Sequence, residues 1–268
     1  MPPSLERDAR DPAVEGRRLA EHGVVRLRAD NPSPLTLSGT NTWIVGRDPA
    51  YVVDPGPALN EHVERLVAAV DARGGLGGIA LTHDHADHSE GVAALRERRP
   101  APLAAARGEV DVQLLDGTRF GPFEALATPG HAPDHFVLIH DRACFTGDAV
   151  LGEGSVFIAP DPGALAGYLD GLGRLRERDL DVLCPGHGPP IWEPEAKLDQ
   201  YIEHRLQRER LLLAALAEGR RSTPELLDAA WSDVPVELRP VAAVSLRAHL
   251  DKLDDEGRLP ADVERPTW

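Results

Sequence analysis

Five side chains that could bind a metal ion are concentrated in one short stretch. They are His83, Asp84, His85, Asp87 and His88, and they follow the apolar run 78–81 after one threonine. Neutral imidazoles and short carboxylates are typical ligands of first-row divalent metals, and a loop at a strand end can turn alternate side chains toward one point. The alternative is a solvated polar turn that happens to be rich in histidine. The order His-x-His-x-Asp-His favours metal binding.

This stretch resembles the metal-binding motif of the metallo-β-lactamase fold hydrolases. Residues 31–46, 147–154, 185–189 and 204–209 add a more specific resemblance, to the β-lactamase-like-protein-2 group, which is related to glyoxalase II. The resemblance covers residues 24–258. It implies an α/β fold, the four-layer αββα sandwich of this superfamily, followed by a small C-terminal helical domain. The group includes a single-strand endoribonuclease and thioesterases that act on carrier-bound polyketides.

The family's pattern also implies which residues bind metal. One metal is expected on His83, His85 and His131, a second on Asp87, His88 and His187, and Asp148 is expected to bridge the two. Asp87 is expected to act in catalysis as well, by orienting the nucleophile. Asp54 and His135 are expected to support the ligands from behind, Asp54 by hydrogen bonds to the metal loop and His135 by bracing a neighbouring loop.

Such a ligand set predicts a particular chemistry. Two divalent cations about 3.5–4 Å apart lower the pKa of bound water toward ~7, so that a metal-bridging hydroxide is available at neutral pH. The hydroxide would attack a carbonyl carbon or a phosphorus, and the metals would stabilise the developing oxyanion. The His/Asp donors favour two zinc ions, with manganese and iron as alternatives.

Strands and helices alternate along the part of the chain that must position these residues. Apolar patterns predict a β-hairpin over 41–46 and 51–54, helices over 61–72, 89–99 and 162–176, and a strand over 78–81. Further strands are predicted over 124–127, 136–139, 143–145 and 181–184. The landmarks His131, Asp148 and His187 each follow one of these strands. Strand ends are the usual place for a site in a layered α/β fold.

The character of the chain changes at about residue 193. Helices are predicted over 193–219, 223–231 and 235–255, followed by a turn at 257–260. We therefore predict a catalytic domain over 1–192, in which 1–23 form a loose arm with room for a short helix, and a winged-helix-like domain over 193–268. Acidic residues outnumber basic ones in this tail, which is a weak electrostatic case for reading nucleic acid. The alternative is an appendage for substrate gating or for homodimer formation.

Amino-acid composition and net charge indicate which class of protein the chain belongs to. A hydrophobic content of 42% is enough for a core, and the net charge of -15 counts against non-specific binding to nucleic acid. The two cysteines cannot build a disulfide framework, and the charged N-terminus predicts no secretory signal. The longest apolar run, 211–217, is too short to cross a bilayer. We therefore expect a cytoplasmic enzyme with no membrane partner.

Three hypotheses about function follow. The leading one is a metal-dependent hydrolase that acts on a thioester or another ester bond of a small-molecule or carrier-bound acyl substrate. The second, suggested by the group resemblance, is an endoribonuclease that cleaves single-stranded RNA. The third is a non-catalytic metal sensor or scaffold, which the intact ligand set disfavours.

Overall fold

The computed structural model describes residues 12–267, which fall into two compact units. Of the described residues, the first unit comprises 12–127, 134–154 and 179–194. The second comprises 128–133, 155–178 and 195–267. The boundary at residue 193 stays a prediction.

Two β-sheets make up the centre of the first unit. The first sheet has the order β1-β2-β3-β4-β5-β6, and its strands are Val24–Arg28, Asn41–Val45, Ala50–Val53, Leu76–Ala80, Leu103–Ala105 and Val112–Gln113. The second has the order β11-β10-β9-β8-β7; in chain order from β7 its strands are Arg119–Phe120, Phe123–Ala127, Phe136–His140, Ala143–Gly147 and Val182–Pro185. The predicted hairpin corresponds to β2 and β3, which pair antiparallel.

Side chains of both sheets share one core. Trp43 and Val53 of the first sheet belong to the same buried cluster as Phe123, Leu138 and Phe145 of the second. The ring of Phe145 lies 6.1 Å from that of Trp43 and 5.7 Å from that of Phe123, at tilted and edge-on angles that aromatic pairs prefer. The expected α/β sandwich is thus built on two sheets with a common apolar interior.

The helices of the first unit are α1 (Pro12–Glu21), α2 (Asn60–Asp71), α3 (Ala86–Ser89) and α4 (Gly91–Arg98). Two of them, α2 and α4, cover the other face of the first sheet. A second buried cluster joins Leu66 and Val70 of α2 and Leu95 of α4 to Val52 and Ile79 of the sheet. These two helices therefore bury apolar side chains against the sheet and leave their polar faces to solvent.

The described part of the N-terminal arm contains the short helix for which the sequence left room. Residues 12–21 form α1, and Leu19, 1% exposed, belongs to the core that the two sheets share. Glu15 of the helix forms an ion pair with Arg26 of β1. This part of the arm is packed rather than loose because the helix has an apolar residue to bury. Residues 1–11 lie outside the described residues.

The second unit contains the remaining helices, which are α5 (Ala164–Arg176), α6 (Pro194–Ala217), α7 (Thr223–Ala230) and α8 (Arg239–Asp255), with a 3-10 turn at Val236–Leu238. The three helices predicted after residue 193 correspond to α6, α7 and α8. Ser222 and Glu225 form a capping box at the start of α7. Leu212, Leu226 and Leu246 bring α6, α7 and α8 into one apolar cluster. Among residues 12–267, no helix combines the length and apolarity that crossing a bilayer requires.

Candidate metal centre

Parallel strand pairs bring distant parts of the sequence together at the strand ends. In the first sheet, Val53 of β3 lies opposite Ala80 of β4, so the residues that follow both strands are neighbours. In the second sheet, Gly147 of β10 lies opposite Pro185 of β11. Asp148 and His187 therefore leave the second sheet side by side. The strand ends deliver chemistry-bearing side chains as the sequence predicted.

The six predicted ligands that belong to the first unit form one cluster. Oxygen and nitrogen atoms of His83, His88 and Asp148 lie within 4.8 Å of one another, and the same holds for Asp87, His88 and His187. His85 adjoins the cluster, because its Nδ1 lies 3.0 Å from Nε2 of His83. Apart from His85 and Asp87, all of these residues are buried. The structure thus brings together residues more than 100 positions apart in the sequence.

His131 belongs to the second unit. It lies on Thr128–Pro133, it is 5% exposed, and its ring contacts that of Phe157 at a centroid distance of 4.9 Å. Its role as a metal ligand stays a prediction.

Distances between donor atoms test whether the cluster fits a metal. Nε2 of His88 lies 3.5 Å from Oδ2 of Asp87 and 3.6 Å from Oδ1 of Asp148. Nε2 of His187 lies 3.2 Å from Oδ2 of Asp87 and 3.4 Å from Oδ2 of Asp148. Two ligand atoms on one tetrahedral ion, each about 2.1 Å from it, are roughly 3.4 Å apart. The donor set therefore fits divalent cations.

His88 supplies a second test of the fit. Its ring is fully buried, and its Nε2 has no hydrogen-bond partner within residues 12–267. Its Nδ1 lies 2.9 Å from Oδ2 of Asp54, which accepts the hydrogen on that nitrogen. The lone pair of Nε2 is then aimed into the cluster, as metal binding requires.

Asp54 makes further contacts of the kind expected for it. Its Oδ1 accepts a hydrogen bond of 2.8 Å from the backbone amide of Thr82, and its Oδ2 accepts one of 2.7 Å from the Thr82 hydroxyl. The hydroxyl oxygen lies 3.0 Å from Nδ1 of His83 and can accept its hydrogen, which leaves Nε2 of His83 as the ligand atom. Asp54 can thus set the tautomers of His88 and, through Thr82, of His83.

His135 supports the opposite side of the cluster. Its Nε2 accepts a hydrogen bond of 3.1 Å from the backbone amide of Asp148. The backbone at Gly147 passes very close to Thr82 and His135, because a Cβ on Gly147 would lie 2.4 Å from the Thr82 hydroxyl and 2.8 Å from Nε2 of His135. Gly147 also has a φ of +46°, which favours glycine. Glycine is therefore required before the aspartate.

Electrostatics in the cluster follow from its buried carboxylates. Burial opposes ionisation of Asp87, but hydrogen bonding to His187 and the charge of His88 lower its pKa to about 2. Burial likewise opposes charge on His187, but Asp148 and Asp87 raise the pKa of that histidine to about 9. Burial also acts against charge on His88, yet Asp148 and Asp54 raise its pKa well above the usual value. The carboxylates thus create a site that attracts positive charge.

Two residues that the sequence analysis left without a role hold the cluster in place. The hydroxyl of Thr40 donates a hydrogen bond of 3.1 Å to Oδ2 of Asp87. The side-chain amide of Asn41, which is fully buried, donates to the carbonyls of Pro185 and Gly188 at 2.9 and 2.8 Å. Asn41 thereby fixes the loop that carries His187. The polar run 39–42 at the start of a buried strand was the available signal.

A short helix inside the metal motif also differs from the expectation. The sequence predicted one helix from Ser89, whereas the structure has the unpredicted short helix α3 at Ala86–Ser89 and then α4 from Gly91. The backbone amides of His88 and Ser89 both donate to the carbonyl of His85. The Ser89 hydroxyl donates to the carbonyls of Asp84 and His85 instead of capping a helix. This turn places Asp87 and His88 next to each other on the site.

Comparison with known proteins decides the family. The model of the metallo-beta-lactamase superfamily matches residues 35–118 and 109–187, and that of the beta-lactamase associated winged helix domain matches residues 222–265. The chain belongs to the metallo-beta-lactamase superfamily. The predicted α/β fold, the winged-helix-like tail and the assignment as an enzyme of this superfamily are confirmed.

Individual relatives agree with this assignment. A beta-lactamase-like protein 2 homolog of Caenorhabditis elegans is 30% identical over 91% of this chain and 88% of its own length. An atrochrysone carboxyl ACP thioesterase of Aspergillus chevalieri is 37% identical over 74% of this chain and 67% of its own. A beta-lactamase domain protein of Burkholderia ambifaria has the same fold, with a TM-score of 0.74 at 21% identity over 88% of this chain and 86% of its own.

Proposed function

We propose that this enzyme is a dinuclear-metal hydrolase that cleaves the thioester bond of an acyl substrate attached to a small thiol or to a carrier protein. The observation that carries the proposal is the convergence of the histidine and aspartate donors at 3.2 to 3.6 Å. The likeness to a carboxyl ACP thioesterase supports the choice of bond. The net charge of -15 disfavours RNA, the alternative substrate.

We assign His83, His85 and His131 to one cation and Asp87, His88 and His187 to the other, with Asp148 shared between them. Bound cations would supply Lewis acidity that lowers the pKa of water and stabilises negative charge on a carbonyl oxygen. Zinc suits these donors best, and manganese or iron are alternatives.

Asp87 is the residue of the cluster best placed to handle the attacking water. Its side chain is 30% exposed, whereas those of Asp148, His187 and His88 are 11%, 2% and 0% exposed. Its carboxylate is ionised at neutral pH and accepts a hydrogen bond from Thr40. It can therefore hold a water by one of its protons and orient it toward the carbonyl carbon.

A substrate panel on protein of measured metal content tests the proposal. The full chain is assayed with hexanoyl-N-acetylcysteamine, a thioester that mimics a carrier arm, with the matching oxygen ester, and with a labelled single-stranded RNA oligomer. We expect thioester hydrolysis that rises with metal content and no cleavage of RNA. Cleavage of RNA alone would replace the thioesterase assignment. Metal-loaded protein inert toward all three would favour a sensor or scaffold.

A further inference from the structure

The second unit contains a cavity that the proposed hydrolysis does not use. It has a volume of about 200 Å³, is partly open to solvent, and is lined by α6, by α8, by the chain 231–238 between α7 and α8, and by residues 155–157. A single water molecule needs only about 10–15 Å³ of such space, so the cavity has room for a small organic ligand. Trp231, Val234, Val241 and Ala242 give it a largely apolar wall.

Arg205 forms the charged part of the wall. It is 2% exposed, and its guanidinium donates to the carbonyl of Val156 and lies 5.7 Å from the ring of Tyr168. Burial raises the pKa of the Tyr168 phenol, so that group is neutral and does not offset the charge. Within residues 12–267, Arg205 pairs with no carboxylate, and its Nε has no hydrogen-bond partner.

The other charged groups near the cavity do not change this balance. Arg208 makes a two-point ion pair with Asp233, at 2.6 and 2.8 Å, and the two charges cancel. Burial and the neighbouring arginines lower the pKa of His204 to about 4, so its ring is neutral at pH 7. The surplus positive charge at the cavity therefore belongs to Arg205. A buried cation without a counter-ion is costly, and an anion in the cavity would remove that cost.

We infer that this cavity binds a small organic carboxylate, with its charged end at Arg205 and its apolar body against Trp231 and Val241. Among anions, an inorganic one fits less well because most of the wall is apolar. Phe157 lines the cavity and also contacts the ring of His131, so a ligand there would touch a neighbour of a predicted metal ligand. The inference does not depend on the proposed thioester hydrolysis.

Calorimetric titration of the full chain with three probes of one size tests this inference. They are hexanoate, 1-hexanol and hexylamine. We expect hexanoate to bind at least ten-fold more tightly than hexanol and hexylamine not to bind. The titrations are done on the protein as purified and again after dialysis against EDTA, because a bound metal could itself coordinate a carboxylate. Equal affinity for hexanoate and hexanol in the EDTA-treated protein would overturn the inference.

Two kinds of variant locate the site. Arg205→Met should lower hexanoate affinity at least ten-fold and leave hexanol affinity unchanged. Removal of a buried arginine could prevent folding. A pair of variants at Val241, which is 44% exposed, therefore provides a second test. Val241→Asp should weaken hexanoate binding about five-fold by like-charge repulsion, whereas Val241→Asn should stay within two-fold of the parent. Equal binding by the Asp and Asn variants would contradict a site in this cavity.

Discussion

Buried charges occur in both units, but the distances between them differ. At the metal cluster, the ring nitrogens of His88 and His187 stand 3.2 to 3.6 Å from carboxylate oxygens. In the second unit, Glu209 is held at 2.7 Å by Lys252 and at 3.0 Å by Arg258. The first set has the spacing of atoms that share an ion, and the second has that of direct charged hydrogen bonds.

The distances between donor atoms distinguish a binding site from a structural ion pair, whereas the types of residue present do not. Each set combines basic side chains with a buried carboxylate, Asp148 in the first and Glu209 in the second. The acid and bases around Glu209 satisfy one another, so nothing further needs to bind. The donors around Asp148 converge on common points, whereas Arg205 pairs with no carboxylate in the described part of the chain, residues 12–267. Variants in each set of residues test whether the distances between donor atoms distinguish a binding site from a structural ion pair.

Replacement of the shared carboxylate should have the largest effect. Asp148→Asn keeps the size of the side chain but removes its charge, and we expect kcat for thioester hydrolysis to fall roughly 1,000-fold, with loss of bound metal. Steady-state kinetics and elemental analysis measure the two effects. Asp170→Asn, the same change at an exposed position, should leave both unchanged. Full metal content in Asp148→Asn would remove Asp148 from the ligand set.

Asp54 should matter for both stability and metal affinity. It is 1% exposed, and Asp54→Asn places an amide opposite the donors of Thr82 and His88. We expect the free energy of unfolding to fall by about 3–5 kcal/mol and metal affinity to fall 10- to 100-fold. Urea unfolding of the metal-free protein and competition with a chelator measure the two separately. The control Asp30→Asn changes an exposed aspartate of the same unit. A loss of stability with unchanged metal affinity would limit Asp54 to a structural role.

His62, a buried histidine that pairs with no carboxylate among residues 12–267, should behave in the opposite way to His88. His62 is 1% exposed, and burial and Arg65 lower its pKa to about 4. The unfolded chain, with a pKa of about 6.5, takes up the proton first, so stability falls as the pH drops from 6.5 toward 4. Between pH 7.5 and pH 5, the wild type should lose about 2 kcal/mol more than His62→Gln. Urea unfolding of both proteins in EDTA at the two pH values gives this difference. Parallel pH profiles would show that His62 is already protonated, or exposed, in the folded state.

The sequence predicted the part of the site that is local. The donors of residues 83–88 are adjacent in the chain, so their types and spacing predicted that they would lie together, whereas the roles of Asp148 and His187 were predicted from the family resemblance and from their places after apolar strands. The contacts of Thr40 and Asn41 could not be predicted in the same way. Both reach partners that are far apart in sequence, at Asp87 and in the loop 185–188, and only the strand order brings them together.

Arg205 shows a different limit of the sequence. An arginine on a long amphipathic helix is usually solvated, and neither the helix pattern nor the charge count distinguishes Arg205 from its exposed neighbours. Its burial depends on the packing of α5, α6 and the segment around Val156, which is a property of the fold. Residues that a local motif or the family resemblance indicates were thus predicted, and those defined only by packing were not.

The ion pairs of Glu209 should give the smallest effect. In Glu209→Gln, Lys252 and Arg258 still pair with Glu256, at 2.6 and 2.7 Å, so neither cation is left without a partner. We therefore expect the free energy of unfolding to fall by only about 1 kcal/mol, with metal content and kcat unchanged. Urea unfolding and elemental analysis measure this, with the exposed Glu237→Gln as control. Loss of metal or activity in Glu209→Gln would show that short, mutually satisfied ion pairs can also serve the site, and spacing would no longer distinguish the two regions.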